Sequence, residues 1–304
     1  MDLISIILVD YNSQEDTREC LESVLQINER SFRFKVIIVD NASKKSFTLT
    51  KKLDVKKVEL IRSESNLGFT GGNNLAINYA LKNHHPDYIL LLNNDTVVDP
   101  NFLEEMLKCL KKDVSTGLVG AKTYFYKGRE YHLDSYQRKD RGNVLWYAGA
   151  SIDWLNLAAF HRGVDEIDRG QFDDQSETDF VTGCAMLAPV SVIERVGLLS
   201  EEYFLYLEDV DYSLRVKNAG YQLKFCPQAI VWHKNAGSSG GAGSFLHQYY
   251  QTRNRLFFGW KYGDRKVKLI VLRLIFRLLF HSTAIEKKAV ADLVLGNMGK
   301  QPVV

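Results

Sequence analysis

The sequence predicts an α/β fold in which helices cover a mostly parallel central sheet. Three observations carry that prediction. Apolar, β-branched runs alternate with segments of helical periodicity over roughly the first 120 residues. The apolar runs are near-continuous, as strands buried on both faces require. Several of them stop abruptly at Asp or Asn, as in YILLLNNDTVVDP from Tyr88 to Pro100. Ligands collect at such strand ends in α/β sheets.

The elements follow in order. Residues 3–9 form the first strand, and residues 16–26 a helix with Cys20, Leu21, Val24 and Leu25 at helical spacing. Strands at 35–39 and 58–61 come next, the first ending at Asp40-Asn41 and the second leading into ESNLGFTGGNN. A helix over 73–82 presents Leu75, Ala76, Tyr79 and Ala80, and the strand from Tyr88 follows. A helix over about 101–111 has Pro100 in its first turn, where proline is tolerated, and residues 117–121 make a fifth strand. Residues 127–175 are irregular, and the stretch 163–176 reads as a loop that orders over a bound ligand. DFVTGCAMLAPVSVIERVG is a strand feeding a short helix, and EDVDYSLRVKNAG is helical until Gly220 stops it. Residues 221–232 form a strand ending in His233, and the Gly/Ser run at 237–244 reads as a hinge.

Composition narrows the function. A chain of 304 residues, 45% hydrophobic and 25% charged, folds around a sizeable core. A net charge of +2 gives no field that recruits nucleic acid. Cys20, Cys109, Cys184 and Cys226 form no C-x-x-C pair, which excludes a zinc cluster of that type and suits a reducing cytosol. The start, Met-Asp followed by a strand, has no basic n-region, so no signal peptide is expected. Charge is nonetheless concentrated: residues 253–288 hold ten Lys and Arg against Asp264 and Glu286.

Polar residues at strand ends are the candidate chemistry. Asp40 can accept hydrogen bonds from a base or ribose, or equally tie down its own loop. The glycines at 68, 71 and 72 permit close approach of a phosphate to a helix start, or simply a tight turn. Asp95, with Asn93 and Asn94, offers oxygen ligands to a hard divalent cation, or caps a strand. Glu208 and Asp209 open a helix, where acids are common as caps, but the aromatics Tyr203, Phe204 and Tyr206 beside them suit a sugar-sized site. His233 can ligate a metal or serve as an ordinary hydrogen-bonded histidine.

Taken together, Val9-Asp10-Tyr11-Asn12-Ser13, Ile38-Val39-Asp40-Asn41-Ala42-Ser43, Asn66-Leu67-Gly68-Phe69, Gly71-Gly72-Asn73-Asn74, Asn93-Asn94-Asp95 and Phe204-x-Tyr206-x-Glu208-Asp209-x-Asp211 form an ordered set. That set resembles the family 2 glycosyltransferases, especially their rhamnosyltransferase-like branch, over roughly residues 4–233, with Tyr249-Tyr250-x-x-Arg253-Asn254 as a weaker continuation. The resemblance implies a GT-A type fold and a nucleoside-diphosphate sugar donor, dTDP- or UDP-linked. It places Tyr11, Asn12, Asp40, Asn66, Gly68 and Asn94 at the nucleotide and Arg253 at the diphosphate. Asp95 and His233 would hold Mn²⁺ or Mg²⁺, Asp209 would be the base, and Glu208 would bind acceptor. This sequence carries Asn93-Asn94 where many relatives have another aspartate.

The resemblance implies two units. Residues 1–245 would be catalytic, with 1–121 the nucleotide-binding half and 122–245 the acceptor-binding and catalytic half. Residues 246–304 would form a helical segment. The acceptor would be a glycan or a polyprenyl-diphosphate-linked glycan, and the location the inner face of the cell membrane. Residues 266–281 are apolar but carry Arg273 and Arg277, too short and too polar to span. An interfacial helix with snorkelling arginines fits, and so does a helix packed on the body or at a homodimer seam. A nucleotidyltransferase would place a glycine-rich basic loop after the first strand, where this chain has Asp10-Tyr11-Asn12-Ser13. The same residues depart from the glycine fingerprint of a nicotinamide-dependent enzyme. A non-catalytic nucleotide-sugar binder would share the pocket without turnover.

Overall fold

The computed structural model describes residues 1–49, 56–174, 176–235 and 243–302. Most of the predicted hinge at 237–244 lies outside them. In chain order the elements are β1 (Asp2–Asp10), α1 (Gln14–Val24), β2 (Phe32–Asp40), β3 (Val58–Arg62), α2 (Gly68–Asn83), β4 (Tyr88–Leu92), β5 (Thr96–Val98), α3 (Phe102–Lys111) and β6 (Thr116–Phe125). Then come β7 (Leu145–Tyr147), β8 (Ala150–Asp153), β9 (Ala158–His161), β10 (Ser176–Glu177), β11 (Ala185–Pro189), α4 (Val190–Val196), α5 (Glu208–Asn218) and β12 (Gln222–His233). Helices α6 (Phe245–Tyr262), α7 (Arg265–His281) and α8 (Ala284–Val294) end the described chain.

The main sheet runs β10-β12-β6-β11-β4-β1-β2-β3. Its half from β4 to β3 is parallel, as predicted. Strand β11 enters antiparallel between β4 and β6, so the sheet as a whole is mixed. Alternation along β1 explains why both faces are covered. Ile4, Ile6 and Leu8 pack with α1 and α3 through Cys20, Leu21, Phe102 and Met106. Ile7 faces the other way, into a cluster with Ala76, Ile77, Tyr212 and Val216 of α2 and α5.

Two expectations need correction. Helix α2 begins at Gly68, five residues before the sequence pattern suggests, so Gly71 and Gly72 lie inside its first turns. Gly72 is required by packing: a Cβ there would sit 2.8 Å from Val9 Cγ1. The described residues of the stretch 163–176 do not line the large cavity described below. The stretch is tied to β6 instead, where Lys122, nearly out of contact with water, donates to Asp168 at 2.8 Å and Asp173 at 2.7 Å, and Tyr124 also donates to Asp168. The cavity wall on that side is the hairpin of β8 and β9, through Leu157, Ala159 and His161.

The C-terminal helices rest on the body. Tyr249 and Tyr250 of α6 and Ala289 of α8 share a cluster with Phe204, while Leu157 packs with Leu256, Val271 and Val290. Among the described residues no helix is long and apolar enough to cross a membrane.

Removing one member of a buried ion pair strands its partner. Lys122→Ala should therefore lower unfolding free energy by about 3 kcal/mol, measured by denaturant titration. Donor affinity should stay at the wild-type value, because this tether lies away from the cavity. A variant as stable as wild type would show that the Lys122–Asp168 pair carries no weight.

Candidate active site

A cavity of about 580 Å³ opens at the carboxyl ends of β1 and β4 and is closed on the far side by α6. Tyr11, Asn66, Gly68, Asn94, Asp95, Glu208, Asp209 and His233 all line it. Asn12, Asp40 and Arg253 do not.

The reasons are local. Asn12, with φ +57°, uses its backbone N–H on Ser43 Oγ and its Oδ1 on the Lys44 N–H, locking two loops together. Asp40 is buried and accepts from the N–H groups of Ser43 (2.9 Å) and Phe47 (3.0 Å) and from Arg62. Burial alone would raise this carboxyl, but those donors hold it below its ordinary range. The loop-holding alternative is the one its contacts match. Arg253 is fully buried, and its guanidinium donates to the backbone carbonyls of Glu202, Tyr203, Asn297 and Gly299 and to Asn254 Oδ1. Every nitrogen of that guanidinium is engaged, so the expected diphosphate clamp has no free donor. Two residues further along α6 is roughly 200° around the helix, and there Arg255 lines the cavity with Gln251 and His247. Sequence reasoning missed this face, although spacing of four among polar residues 247, 251 and 255 was a usable signal.

Helix α5 is presented by a strained segment. Phe204, Tyr206 and Leu207 have φ of +63°, +69° and +65°, a run that only dense support sustains. Asn254 supplies it, its Nδ2 donating to the carbonyls of Tyr203, Leu205 and Tyr206 at 2.8–3.0 Å. From the other side, the Phe204 carbonyl accepts from the N–H of Phe69 at 2.9 Å. Gly68 is glycine for this contact: a Cβ there would stand 2.3 Å from the Phe204 oxygen. The start of α2 is thus occupied by protein, and the phosphate cradle suggested by its glycines is a helix–turn junction.

Helix α5 starts at once after the segment. Asp211 fixes it, fully buried and held by Arg215, Lys261 and Tyr262. Asp209 Oδ2 accepts from the Gly183 N–H and Oδ1 from the Val210 N–H, both at 2.9 Å. Burial in the cavity wall raises this carboxyl, and those two donors restrain the rise. Glu208 is also pushed up, well above the usual range, by burial and by the charge of Asp209 beside it. Its Oε2 has no hydrogen-bond partner among the described residues.

At the end of β4, Asp95 Oδ1 stands 3.0 Å from His233 Nε2. That is a hydrogen-bonding distance, so the two side chains already meet at one point on the cavity wall, from which an oxygen and a ring nitrogen could together hold a divalent ion. Asn93 Nδ2 is 3.4 Å from the same ring nitrogen, and Trp146 packs edge-on against the imidazole. Among the described residues no third His, Cys, Asp or Glu joins the pair. A hard cation held by few protein ligands takes the rest from water and substrate phosphates, so the residues fit such an ion. Asn94 lines the cavity but spends its amide on Ser13 and Thr17, both at 2.7 Å, bracing α1.

The family model described as "Glycosyltransferase like family 2" matches residues 2–259. The hexosyltransferase Agl10 of low-salt glycan biosynthesis in Haloferax volcanii is 22% identical over 255 residues, 84% of this chain and 75% of that protein. The rhamnosyltransferase WbbL of Escherichia coli is 26% identical over 237 residues, 76% of this chain and 83% of that protein. Among solved structures, GalNAc-T7 with UDP, GalNAc and Mn²⁺ superposes with a TM-score of 0.61 at 15% identity. That match covers 92% of this chain and 58% of the other, and it shows the GT-A glycosyltransferase fold.

Asn254→Ala removes three hydrogen bonds from the strained segment. Transfer should fall at least about tenfold with the melting temperature lowered by a few degrees, since buried carbonyls lose their partners. Nucleoside diphosphate affinity should change far less than transfer. Equal losses in both would mean the segment does not set the geometry of Asp209 in particular.

Proposed function

Because this chain belongs to the glycosyltransferase like family 2, we propose that it moves a sugar, rhamnose first among the candidates, from a dTDP- or UDP-linked donor to a glycan or lipid-linked glycan. The observation that carries this reading is one cavity bordered at once by Asp209 and by the Asp95–His233 pair.

The two adjacent acids divide the work. Both lie above their ordinary ranges, raised by burial. Asp209, whose carboxylate is steadied by the N–H groups of Gly183 and Val210, is the anion that removes the acceptor hydroxyl proton, and its raised affinity for a proton makes it a stronger base than a free aspartate. The deprotonated oxygen attacks the anomeric carbon from the side opposite the diphosphate, so one displacement inverts that centre. Bound Mn²⁺ or Mg²⁺, held by Asp95 and His233, would supply positive charge to the leaving diphosphate. Tyr11 and Asn66 border the donor's nucleotide, while Trp146 holds the His233 ring edge-on.

Residues 1–245 carry Asp95, Asp209 and His233, and α6 completes their cavity, so within 246–304 we assign α7 and α8 to localisation. Helix α7 turns Val267, Val271 and Leu278 inward and leaves Leu269, Leu272, Phe276 and Phe280 in water, Phe276 at 67% exposure. Basic Lys266, Arg273 and Arg277 flank that stripe. An apolar stripe edged with cations suits the surface of an anionic membrane, and the cytoplasmic face is the leaflet such a peripheral enzyme would use.

Three outcomes test the reading. Asp209→Asn should leave donor binding by calorimetry near wild type while released nucleoside diphosphate falls by at least about 10²-fold; normal turnover would remove Asp209 from the mechanism. Asp95→Ala should abolish Mn²⁺ binding measured in the presence of nucleoside diphosphate, together with transfer. Full wild-type turnover in excess chelator would refute the need for a cation. Leu272→Glu with Phe276→Glu should cut co-sedimentation with phosphatidylglycerol vesicles while leaving the melting temperature unchanged. Truncation is the poorer experiment, because the tail after α8 also receives the Arg253 hydrogen bonds. Undiminished sedimentation of the double variant would leave a homodimer or a packed helix as the role of α7.

A further inference from the structure

The wall that β8 and β9 give the cavity carries one polar ring. Along β9, Phe160 is turned to water at 49% exposure, while its neighbours Ala159 and His161 line the cavity. His161 Nδ1 lies 3.0 Å from the Trp146 carbonyl. A carbonyl only accepts, so the single hydrogen of a neutral imidazole sits on Nδ1 and leaves Nε2 as a bare acceptor. Burial pulls this histidine down to about 4, so it is neutral at neutral pH. No described residue donates to its Nε2.

The ring is held in place from several sides. Trp146 and Tyr147 pack edge-on against it, with ring centres 4.3 and 5.1 Å away, and Phe180 lies at 5.9 Å. Backbone bonds lock the hairpin beneath: the Ala148 N–H donates to the Arg162 carbonyl at 3.0 Å, and the Arg162 N–H to the Gly149 carbonyl at 2.8 Å. Trp146 also lines the cavity, and its indole N–H has no acceptor among the described residues. A neutral acceptor and a neutral donor on one stretch of wall match a hydroxyl, which gives one hydrogen and accepts another. An acceptor nitrogen does not suit a phosphate oxygen.

Position indicates which hydroxyl. The same indole packs against His233 with ring centres 4.5 Å apart, at the end of the cavity where Asp95 stands and the diphosphate would leave. The sugar joined to that diphosphate is therefore the hydroxyl-bearing group nearest His161. We infer that His161 Nε2, together with the Trp146 N–H, reads a hydroxyl of the sugar being transferred. This rests on the glycosyl-transfer reading and adds to it a pair of residues that selects the donor sugar.

The test titrates UDP, dTDP, UDP-glucose, UDP-galactose, UDP-N-acetylglucosamine and dTDP-L-rhamnose into the full-length protein with Mn²⁺, by calorimetry. The sugar nucleotide that binds most tightly is then measured on the variants. His161→Phe keeps a packed ring and removes the acceptor. It should weaken that sugar nucleotide at least about tenfold, because a hydroxyl loses its partner, while the matching nucleoside diphosphate binds as before. His161→Gln, whose amide oxygen can accept, should recover part of the loss. Trp146→Phe should show the same selective loss, and it keeps the test valid if the melting temperature shows His161→Phe to be unfolded. Wild-type affinity for the sugar nucleotide in both phenylalanine variants would overturn the inference. An equal loss of the bare diphosphate, or a raised KM for acceptor with donor affinity intact, would also overturn it, by moving the pair to the nucleotide or to the acceptor. A wild type that neither binds nor turns over any of these sugar nucleotides would sink the glycosyl-transfer reading itself, whereas a working wild type with unaffected variants sinks only this inference.

Discussion

The structure depends on one short segment being held where it would not rest by itself. Three residues from Phe204 to Leu207 stand at positive φ, a conformation that costs of order 1 kcal/mol or more at each non-glycine position. Asn254 grips three carbonyls of that turn from α6, and Arg253 grips the backbone just before it. The Phe204 carbonyl meets the start of α2 from the opposite side, across a gap only glycine allows at position 68. The start of α2, the start of α5 and the C-terminal helices therefore join at one turn. A displacement there moves Asp209 relative to Asp95.

The electrostatics of the cavity follow from where that turn delivers α5. Asp209 arrives with two backbone N–H groups to steady it, though burial still holds it above the range of a free aspartate. Glu208 Oε2 has no hydrogen-bond partner among the described residues. Burial and the neighbouring Asp209 charge raise that second carboxyl as well. Across the cavity, the Asp95–His233 pair carries the fit for a divalent ion, and its scarcity of protein ligands leaves room for phosphate oxygens.

Much of this was legible in the sequence. The parallel half of the sheet followed from continuous apolar runs, and the polar residues at their ends did gather, with Asp95, Asp209 and His233 around one cavity. What the sequence could not show was which polar groups the protein itself would consume. Asp40 and Arg253 look as available in the chain as Asp95 and Arg255. Only tertiary contacts reveal that Ser43, Phe47 and Arg62 saturate the first and four backbone carbonyls the second. Likewise Gly72 and Gly68 are explained by packing against Val9 and Phe204, partners 63 or more residues away along the chain, at distances no local pattern encodes. Strand β11 was predicted as a strand, but its antiparallel entry beside β4 is a pairing across the whole fold.

The central claim is that Asp209, raised by burial and steadied by two N–H groups, is the base. The most direct measurement is the pH dependence of kcat/KM for acceptor, with donor and Mn²⁺ saturating and Mn²⁺ binding followed separately at each pH. A base acts only when ionised, and burial raises the pH at which Asp209 ionises. Activity should therefore be full at neutral pH and fall on an acid limb whose midpoint lies above the ordinary aspartate value of about 3.9, while Mn²⁺ remains bound. A rate that stays level down to that ordinary value, or a limb that merely follows loss of Mn²⁺, would contradict the assignment.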